Sequence, residues 1–196
     1  NAFHKVSSVG DMSNRNWLKK TLSDRWHTEL IPATQEQISE LERNAEFYSG
    51  VLQKQYLPCY PKLEISDKRE GLDLQPRKFY MLSLGANQGY REWPVDYYAE
   101  IAKLIYKKTG WRGLICGTEQ ERYLGEQLQN ICDAPIKNYT GRTTLSELAW
   151  LLKKSQILIS NETGTAHISS AVGTSTVCIL GGGHFGRFVP YPDLPG

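Results

Sequence analysis

The sequence is poor in features that several broad classes of protein require. It has four cysteines in 196 residues, and they lie far apart, with no CxxC pair and no histidine spacing typical of a zinc site. No apolar run approaches the length of a membrane span, and the N-terminus lacks the apolar core of a signal peptide. Two cysteines, Cys116 and Cys178, stand in apolar runs typical of buried strands in a reducing compartment. We therefore expect a soluble chain with neither a disulfide nor a bound metal.

The chain also lacks an excess of charge of either sign. Its 23 basic and 21 acidic residues leave a formal charge of +2, which is too balanced to make nucleic acid or an anionic membrane surface the main partner. The composition, 40% hydrophobic and 22% charged, suits one full globular domain with some additional chain. Because the sequence begins at Asn1 and ends in a proline-rich run without a closing element, we expect it to be part of a larger protein.

The first third of the chain shows little regular patterning. Residues 1–30 have no sustained periodicity, and we expect irregular or short helical structure there. From Thr34 the pattern changes, because Thr34 and Gln37 have capping-box spacing and apolar residues follow at intervals of three and four, which predicts an amphipathic helix. The polar segment 67–78 contains a glycine and a proline and is predicted to be a linker. Residues 1–74 are accordingly predicted to be a partly helical connector and the remnant of an N-terminal domain.

Residues 75–196 alternate apolar strand-like runs with amphipathic helices. The predicted strands are 79–84, 113–116, 157–160 and 176–180, and the predicted helices begin near Pro94, Thr118, Thr144 and Thr165. Continuous apolar runs are typical of strands in a parallel sheet that is covered on both faces. The predicted fold class is therefore α/β, with a Rossmann-like doubly wound parallel sheet. Such sheets bind ligands beyond the carboxyl ends of their strands, which here are the loops 85–93, 117–121 and 160–165.

A glycine-rich turn follows the last predicted strand but does not fit a dinucleotide site. Gly181, Gly183 and Gly186 match GxGxxG, yet that fingerprint needs a helix beginning at the turn and an acidic residue about twenty positions later. The segment 185–195 has no helical pattern, and the chain ends before such an acid. We therefore interpret these glycines as a turn, and we expect the binding chemistry elsewhere.

The segment NETGTAH, residues 161–167, joins a predicted strand to a predicted helix. Backbone N–H groups at a helix start are unpaired and carry the positive end of the helix dipole, so a phosphate bound there needs no lysine. Gly164 allows close approach to the backbone, and the Thr163 and Thr165 hydroxyls can donate hydrogen bonds. The alternative is that one of these threonines only caps the helix and that His167 is a hydrogen-bonded core residue.

Two further loops carry charged residues to the same predicted edge. In GANQGYREWP, residues 85–94, Arg91 would lie over the crevice, where a guanidinium can bind a diphosphate through paired hydrogen bonds. The alternative for Arg91 is a surface arginine paired with an acid. In GTEQE, residues 117–121, a carboxylate beyond a strand end can accept from both ribose hydroxyls. Glu121 also fits a capping box with Thr118, so ribose binding and helix capping are both open for it.

Taken in order, these motifs resemble one family of bacterial enzymes, glycosyltransferase family 9, the ADP-heptose:lipopolysaccharide heptosyltransferase type. The likeness runs from about Phe79 to Pro192, through GANQGYREWP, ICGTEQE, NYTGRTTLSELAWLLKKSQILISNETGTAHISSAVG and a final strand with GGG. Residues 30–65 are also similar to the connecting region of the family. The motifs are specific to the family and do not identify the sugar.

The resemblance implies a GT-B architecture, of which this chain would be the C-terminal half with an N-terminal helical connector. It implies transfer of a sugar, heptose-like or a hexose, from a nucleotide diphosphate with inversion, and without a metal or other cofactor. The implied nucleotide-sugar-binding residues are Gly85, Asn87, Arg91, Thr118, Glu119, Glu121, Thr143, Glu162, Thr163, Gly164, Thr165 and His167. The general base is expected in an N-terminal domain outside this chain, so the isolated chain is expected to be inactive.

Two residues depart from the pattern of the family, since Glu162 stands where Asp is common and Arg91 where Lys is common in the heptosyltransferases. The phosphate geometry would then be kept while the donor differs. The implied partners are an ADP-, UDP- or GDP-linked sugar and a lipid-linked or oligosaccharide acceptor of lipopolysaccharide or surface-polysaccharide assembly, with no nucleic acid. The implied place of action is the cytoplasmic face of the bacterial inner membrane, with peripheral membrane contact through the full-length protein. The alternatives are a GT-B-fold sugar-nucleotide epimerase and a non-catalytic nucleotide-binding or interaction module.

Overall fold

A computed structural model of the chain describes residues 3–10, 17–66, 78–183 and 185–194. The chain divides into two compact units. We call Asn1–Tyr60 together with Gly182–Gly196 the terminal unit, and Pro61–Gly181 the sheet unit. The predicted linker lies outside the described residues except for Lys78.

The terminal unit contains a small parallel sheet that the sequence did not predict. Strand β1 (Val6–Ser8) pairs in parallel with β2 (Glu29–Ile31), and helix α1 (Trp17–Asp24) lies between them in the chain. The expectation of irregular or short helical structure for residues 1–30 was therefore wrong for both strands and correct for α1. Strands of three residues are too short for a period of two to stand out from the surrounding sequence.

Helix α2 (Glu40–Leu52) begins later than the sequence predicted. Its cap is Ser39, whose hydroxyl accepts from the Glu42 N–H at 3.3 Å while the Glu42 carboxylate accepts from the Ser39 N–H at 2.9 Å. The predicted cap at Thr34 was wrong, because the competing box supplies a charged acceptor, and hydrogen bonds to a carboxylate are stronger than those to a neutral amide.

The sheet unit is built on five parallel strands in the order β5-β4-β3-β6-β7. The strands are β3 (Phe79–Ser83), β4 (Arg112–Cys116), β5 (Ile136–Asn138), β6 (Leu158–Asn161) and β7 (Thr176–Ile179). The helices between them are α3 (Val95–Thr109), α4 (Arg122–Ile131), α5 (Leu145–Lys154) and α6 (Gly164–Ala171). Short 3-10 turns at Gly89–Arg91 and Glu119–Glu121 precede α3 and α4. The order reverses at β3, because the chain runs outward to β5 and then returns to place β6 on the other side of β3.

Helices cover both faces of this sheet. Tyr80 and Leu82 of β3 pack with buried residues of α3 and α4, whereas Met81 packs on the opposite face with Leu151 and Leu152 of α5. Every residue of β3 is buried, which explains why it is a continuous apolar run in the sequence. The doubly wound parallel sheet is therefore confirmed.

The predicted elements of the sheet unit agree with the structure to within one or two residues at most ends. Both predicted capping boxes are present, at Thr118 with Glu121 and at Thr144 with Glu147, although the first opens a 3-10 turn before α4. Among the described residues, no helix is both long enough and apolar enough to cross a membrane.

Candidate functional site

The loops after β3 and β6 lie side by side at the carboxyl edge of the sheet, because these two strands are parallel neighbours. The strand order reverses between them, and ligands of open α/β sheets bind outside the carboxyl ends of the strands at such a point. All three predicted loops lie at this edge, since β4 is the other neighbour of β3.

Asn161, the last residue of β6, fixes the loop that follows β3. Its side-chain amide Nδ2 donates to the Leu84 carbonyl at 2.6 Å, and to the Gly85 carbonyl at 3.4 Å. Its Oδ1 accepts from the Trp93 N–H at 3.2 Å. The residue is 1% exposed. Both ends of the loop are thus tied to β6, a role that the sequence analysis missed although an uncharged amide at the end of an apolar strand was a visible signal.

Arg91 and Glu162 form an ion pair at this edge. The distance from Arg91 Nη2 to Glu162 Oε2 is 2.9 Å, with 27% of the arginine side chain and 9% of the glutamate side chain exposed. The end of β7 is also near, because a Cβ added to Gly181 would lie 3.7 Å from Arg91 Nε. Arg91 is therefore paired with an acid, as one interpretation of the sequence held, and the pair lies at the predicted crevice.

The start of α6 faces open space. Its N-cap residue Thr163 is extended, and its side chain makes no capping hydrogen bond; the Thr163 hydroxyl lies 3.4 Å from Ser160 Oγ instead. A Cβ added to Gly164 would meet no heavy atom within 4 Å. Thr165 and His167, in the first two turns, are half-buried. The first N–H groups of a helix have no acceptor in a preceding turn. In α6 the Ala166 N–H donates to the Thr163 carbonyl at 3.1 Å, which leaves the N–H groups of Gly164 and Thr165 as the donors that suit an anion.

Glu121 is closely packed at the end of β4. Its Oε2 accepts from the Thr118 N–H at 2.6 Å. A Cβ added to Gly85 would overlap its carboxylate, and one added to Gly117 would lie 2.5 Å from Oε2. The predicted capping role is therefore present, and the two glycines leave space for the acid.

The remaining predicted residues make fewer contacts with Arg91, Glu162 and Glu121. Glu119 pairs with Arg122 at 2.7 Å on the surface, and its carboxylate would overlap a Cβ added to Gly141. Thr143 is half-buried just before the cap of α5, and Asn87 is exposed in the loop after β3. Within the described ranges, neither Thr143 nor Asn87 makes a hydrogen bond to another predicted site residue.

Each of two partly buried carboxylates at this edge, Glu121 and Glu162, influences the pKa of a cysteine thiol. Burial, and then the negative charge of Glu121, raises the pKa of Cys116 to about 12. Burial, and then the charge of Glu162, raises the pKa of Cys178 to about 11. Both cysteines are therefore neutral at physiological pH, as expected of residues in apolar strands.

The glycine-rich turn after β7 begins no helix in its described residues, 181–183 and 185–194, which confirms its interpretation as a turn. In the described part of the chain, no group of three or more His, Cys, Asp or Glu side chains is arranged to hold a metal ion.

Comparisons with known proteins agree on one family. The sequence model of glycosyltransferase family 9 (heptosyltransferase) matches residues 4–194. A curated relative, the lipopolysaccharide core heptosyltransferase OpsX of Haemophilus influenzae, is 26% identical over 120 residues, which are 60% of this chain and 34% of that protein. The chain thus spans about a third of the length of this relative.

Solved structures show the same fold. The E. coli ADP-heptose lipopolysaccharide heptosyltransferase II superposes with a TM-score of 0.72 at 16% identity, over 90% of this chain and 56% of that one. The E. coli heptosyltransferase WaaC with ADP-2-deoxy-2-fluoro heptose gives a TM-score of 0.60 at 16% identity, over 88% and 53% of the two chains. These likenesses support the predicted fold class.

Proposed function

Because this chain belongs to glycosyltransferase family 9, the heptosyltransferases, we propose that it is the donor-binding part of an inverting glycosyltransferase. Its donor would be a nucleotide diphosphate sugar, ADP-, UDP- or GDP-linked, carrying a heptose-like sugar or a hexose. The observation that carries the proposal is the combination, at one sheet edge, of the Arg91 cation with a helix start that has open space in front of it.

The leaving group of such a reaction is a nucleoside diphosphate, which gains negative charge as the sugar departs. Preorganised donors and positive charge stabilise that developing charge without a proton transfer. The first N–H groups of α6 and the Arg91 guanidinium supply both. Glu162 occupies Nη2 of Arg91, and a guanidinium has five N–H donors in all, so donors of Arg91 stay available for phosphate oxygens.

Glu121 is the residue that we assign to the ribose. Its Oε2 is engaged by the Thr118 N–H, but an ionised carboxylate offers about four acceptor positions. A carboxylate held by a backbone N–H is also fixed in orientation, which reduces the entropy lost on binding. Capping and ribose binding are therefore compatible roles for one side chain.

The proposed acceptor is a lipid-linked or oligosaccharide precursor of lipopolysaccharide or another surface polysaccharide. The relative OpsX is named for the lipopolysaccharide core, and the WaaC structure is named for an ADP-sugar analogue. Because a lipid-linked acceptor is held at a membrane, we also propose action at the cytoplasmic face of the inner membrane, which the family resemblance implies. The general base would come from outside this chain, which by itself would bind donor without transferring it.

Titration of ADP, UDP and GDP into the full chain, followed by calorimetry, tests the donor site. We expect measurable affinity for one of the three, and a loss of tenfold or more in Arg91→Ala because a charge-assisted contact is removed. The control is Arg112→Ala, since Arg112 begins β4 at the opposite edge of the same sheet. Failure of all three nucleotides to bind would overturn the proposal.

A further inference from the structure

We propose that Asn161 is a positioning residue that sets the location of Arg91, and through it the affinity for a diphosphate. The inference rests on the proposed function of this edge, and it assigns to Asn161 no contact with the ligand. Its basis is the juxtaposition of two consecutive residues of one strand end, Asn161 and Glu162, which hold the same loop at three points.

The hold is specific to an amide side chain. Nδ2 donates to a carbonyl at the beginning of the loop, Leu84, while Oδ1 accepts from an N–H at its end, Trp93. Only asparagine and glutamine carry a donor and an acceptor of this kind in one planar group. Since the residue is 1% exposed, water cannot easily replace either bond, and a lost partner would leave a buried backbone group unsatisfied.

The effect reaches Arg91 because Arg91 lies inside the held loop, two residues before Trp93. The 3-10 turn Gly89–Arg91 is short, and such turns have poorer hydrogen-bond geometry than an α-helix. The position of the guanidinium therefore depends on how the loop ends are anchored. With both ends fixed by Asn161, the ion pair with Glu162 directs Arg91 along the edge where the start of α6 also lies.

The substitution Asn161→Asp tests this role with almost no change of shape. Because it also adds a negative charge at the edge, its effect in the Arg91→Ala background is decisive, since repulsion of the diphosphate would persist there and a positioning effect would not. It keeps the acceptor for the Trp93 N–H and removes the donor to Leu84, where a carboxylate oxygen would face a carbonyl oxygen. The matched control is Asn138→Asp at the end of β5, because Asn138 Oδ1 accepts from the Thr140 N–H and hydroxyl in another loop. Asn161→Ser, which retains one hydroxyl donor, serves if Asn161→Asp does not fold.

The measurement is the affinity of each variant for the preferred nucleoside diphosphate and for the corresponding nucleoside. We expect Asn161→Asp to weaken diphosphate binding about tenfold and to leave nucleoside binding within about twofold, whereas Asn138→Asp changes neither. In an Arg91→Ala background, Asn161→Asp should have no further effect on diphosphate affinity, because residues that act through one another are not additive.

Four results would count against the inference. Equal weakening of nucleoside and diphosphate binding, or an unchanged affinity with only a lower unfolding temperature, would make Asn161 a structural residue. Additive losses in the Arg91→Ala background would show that Asn161 does not act through Arg91. If the unsubstituted chain binds no nucleotide, the proposed function fails first, and the inference fails with it.

Discussion

The two halves of the sheet edge are built in opposite ways. On the cation side, formed by Arg91 and residues 161–167, the space beside Gly164 at the start of α6 is open and the arginine is partly exposed. On the acid side, formed by residues 117–121 with Gly85, the Glu121 carboxylate fills the space that the two glycines leave. A diphosphate needs room around the groups that bind its charge. A carboxylate that accepts hydrogen bonds from the neutral hydroxyls of a ribose can be tightly packed. The difference is therefore the one that a nucleotide, with its diphosphate and its ribose, would require.

The largest expected effect comes from a matched pair of glycine substitutions, one on each side of the edge, whose free energies of unfolding test the difference in packing. Gly85→Ala places a Cβ against the Glu121 carboxylate, and we expect it to lower the free energy of unfolding by about 1–3 kcal/mol, as overpacking does. Gly164→Ala adds a methyl group to the first turn of a helix in open space, so the free energy of unfolding should stay unchanged or rise by up to ~1 kcal/mol. Urea denaturation measures both.

The same two substitutions also test where the nucleoside diphosphate binds. Gly164→Ala fills space on the cation side and should weaken nucleoside diphosphate binding in a chain of undiminished stability. Equal destabilisation by the two substitutions would show that the halves of the edge do not differ in packing.

A second pair compares two capping boxes of the same sheet unit. Glu121→Ala and Glu147→Ala each remove a carboxylate that accepts from the backbone N–H of its cap, at 2.6 and 2.7 Å, and each should cost about 1 kcal/mol of stability. Only Glu121→Ala should also weaken binding of nucleosides, because only Glu121 stands at the proposed ribose position. Calorimetry with adenosine, uridine and guanosine gives the test, and equal affinity in both variants would leave Glu121 as a cap alone.

The smallest expected effect is the pH dependence of stability that comes from the buried Cys116 thiol. The pKa of Cys116 rises from an ordinary value of 9.0 to about 12 on folding. Above pH 9 the unfolded chain therefore releases a proton that the folded chain keeps, so stability is full below pH 9 and falls as the pH rises. By pH 9.5 the loss should be about 1 kcal/mol or less. The slope of unfolding free energy against pH from 8 to 9.5 should be shallower in Cys116→Val, and an unchanged slope would contradict the raised pKa.

The sequence predicted the sheet unit well because its elements are defined locally. The buried strand β3 is a continuous apolar run, and Thr118, Pro94 and Thr144 mark helix starts by chemistry that acts within four residues. The positions of the three loops at one edge then followed from the rule for parallel sheets.

What the sequence could not predict depends on contacts between distant segments. The pairing of Arg91 with Glu162 requires β6 to lie next to β3 rather than next to β5, and no local pattern encodes that order. The role of Asn161 has the same origin, because its partners lie 68 and 77 positions away. The small sheet β1-β2 escaped prediction for a different reason, since three-residue strands carry almost no periodic signal.

The long separation within the cation side has a consequence for folding. Arg91 and Glu162 are 71 positions apart and meet only when the central strands β3 and β6 have paired. The site is therefore not formed in a short fragment of the chain or in the unfolded chain. Pairing over such a distance slows folding, because loop closure costs entropy before any contact repays it. It also means that a ligand of this edge can bind the native state alone. A nucleotide present at a hundred times its dissociation constant should thus stabilise the chain by about 2.7 kcal/mol, which makes resistance to thermal unfolding a direct report on ligand identity.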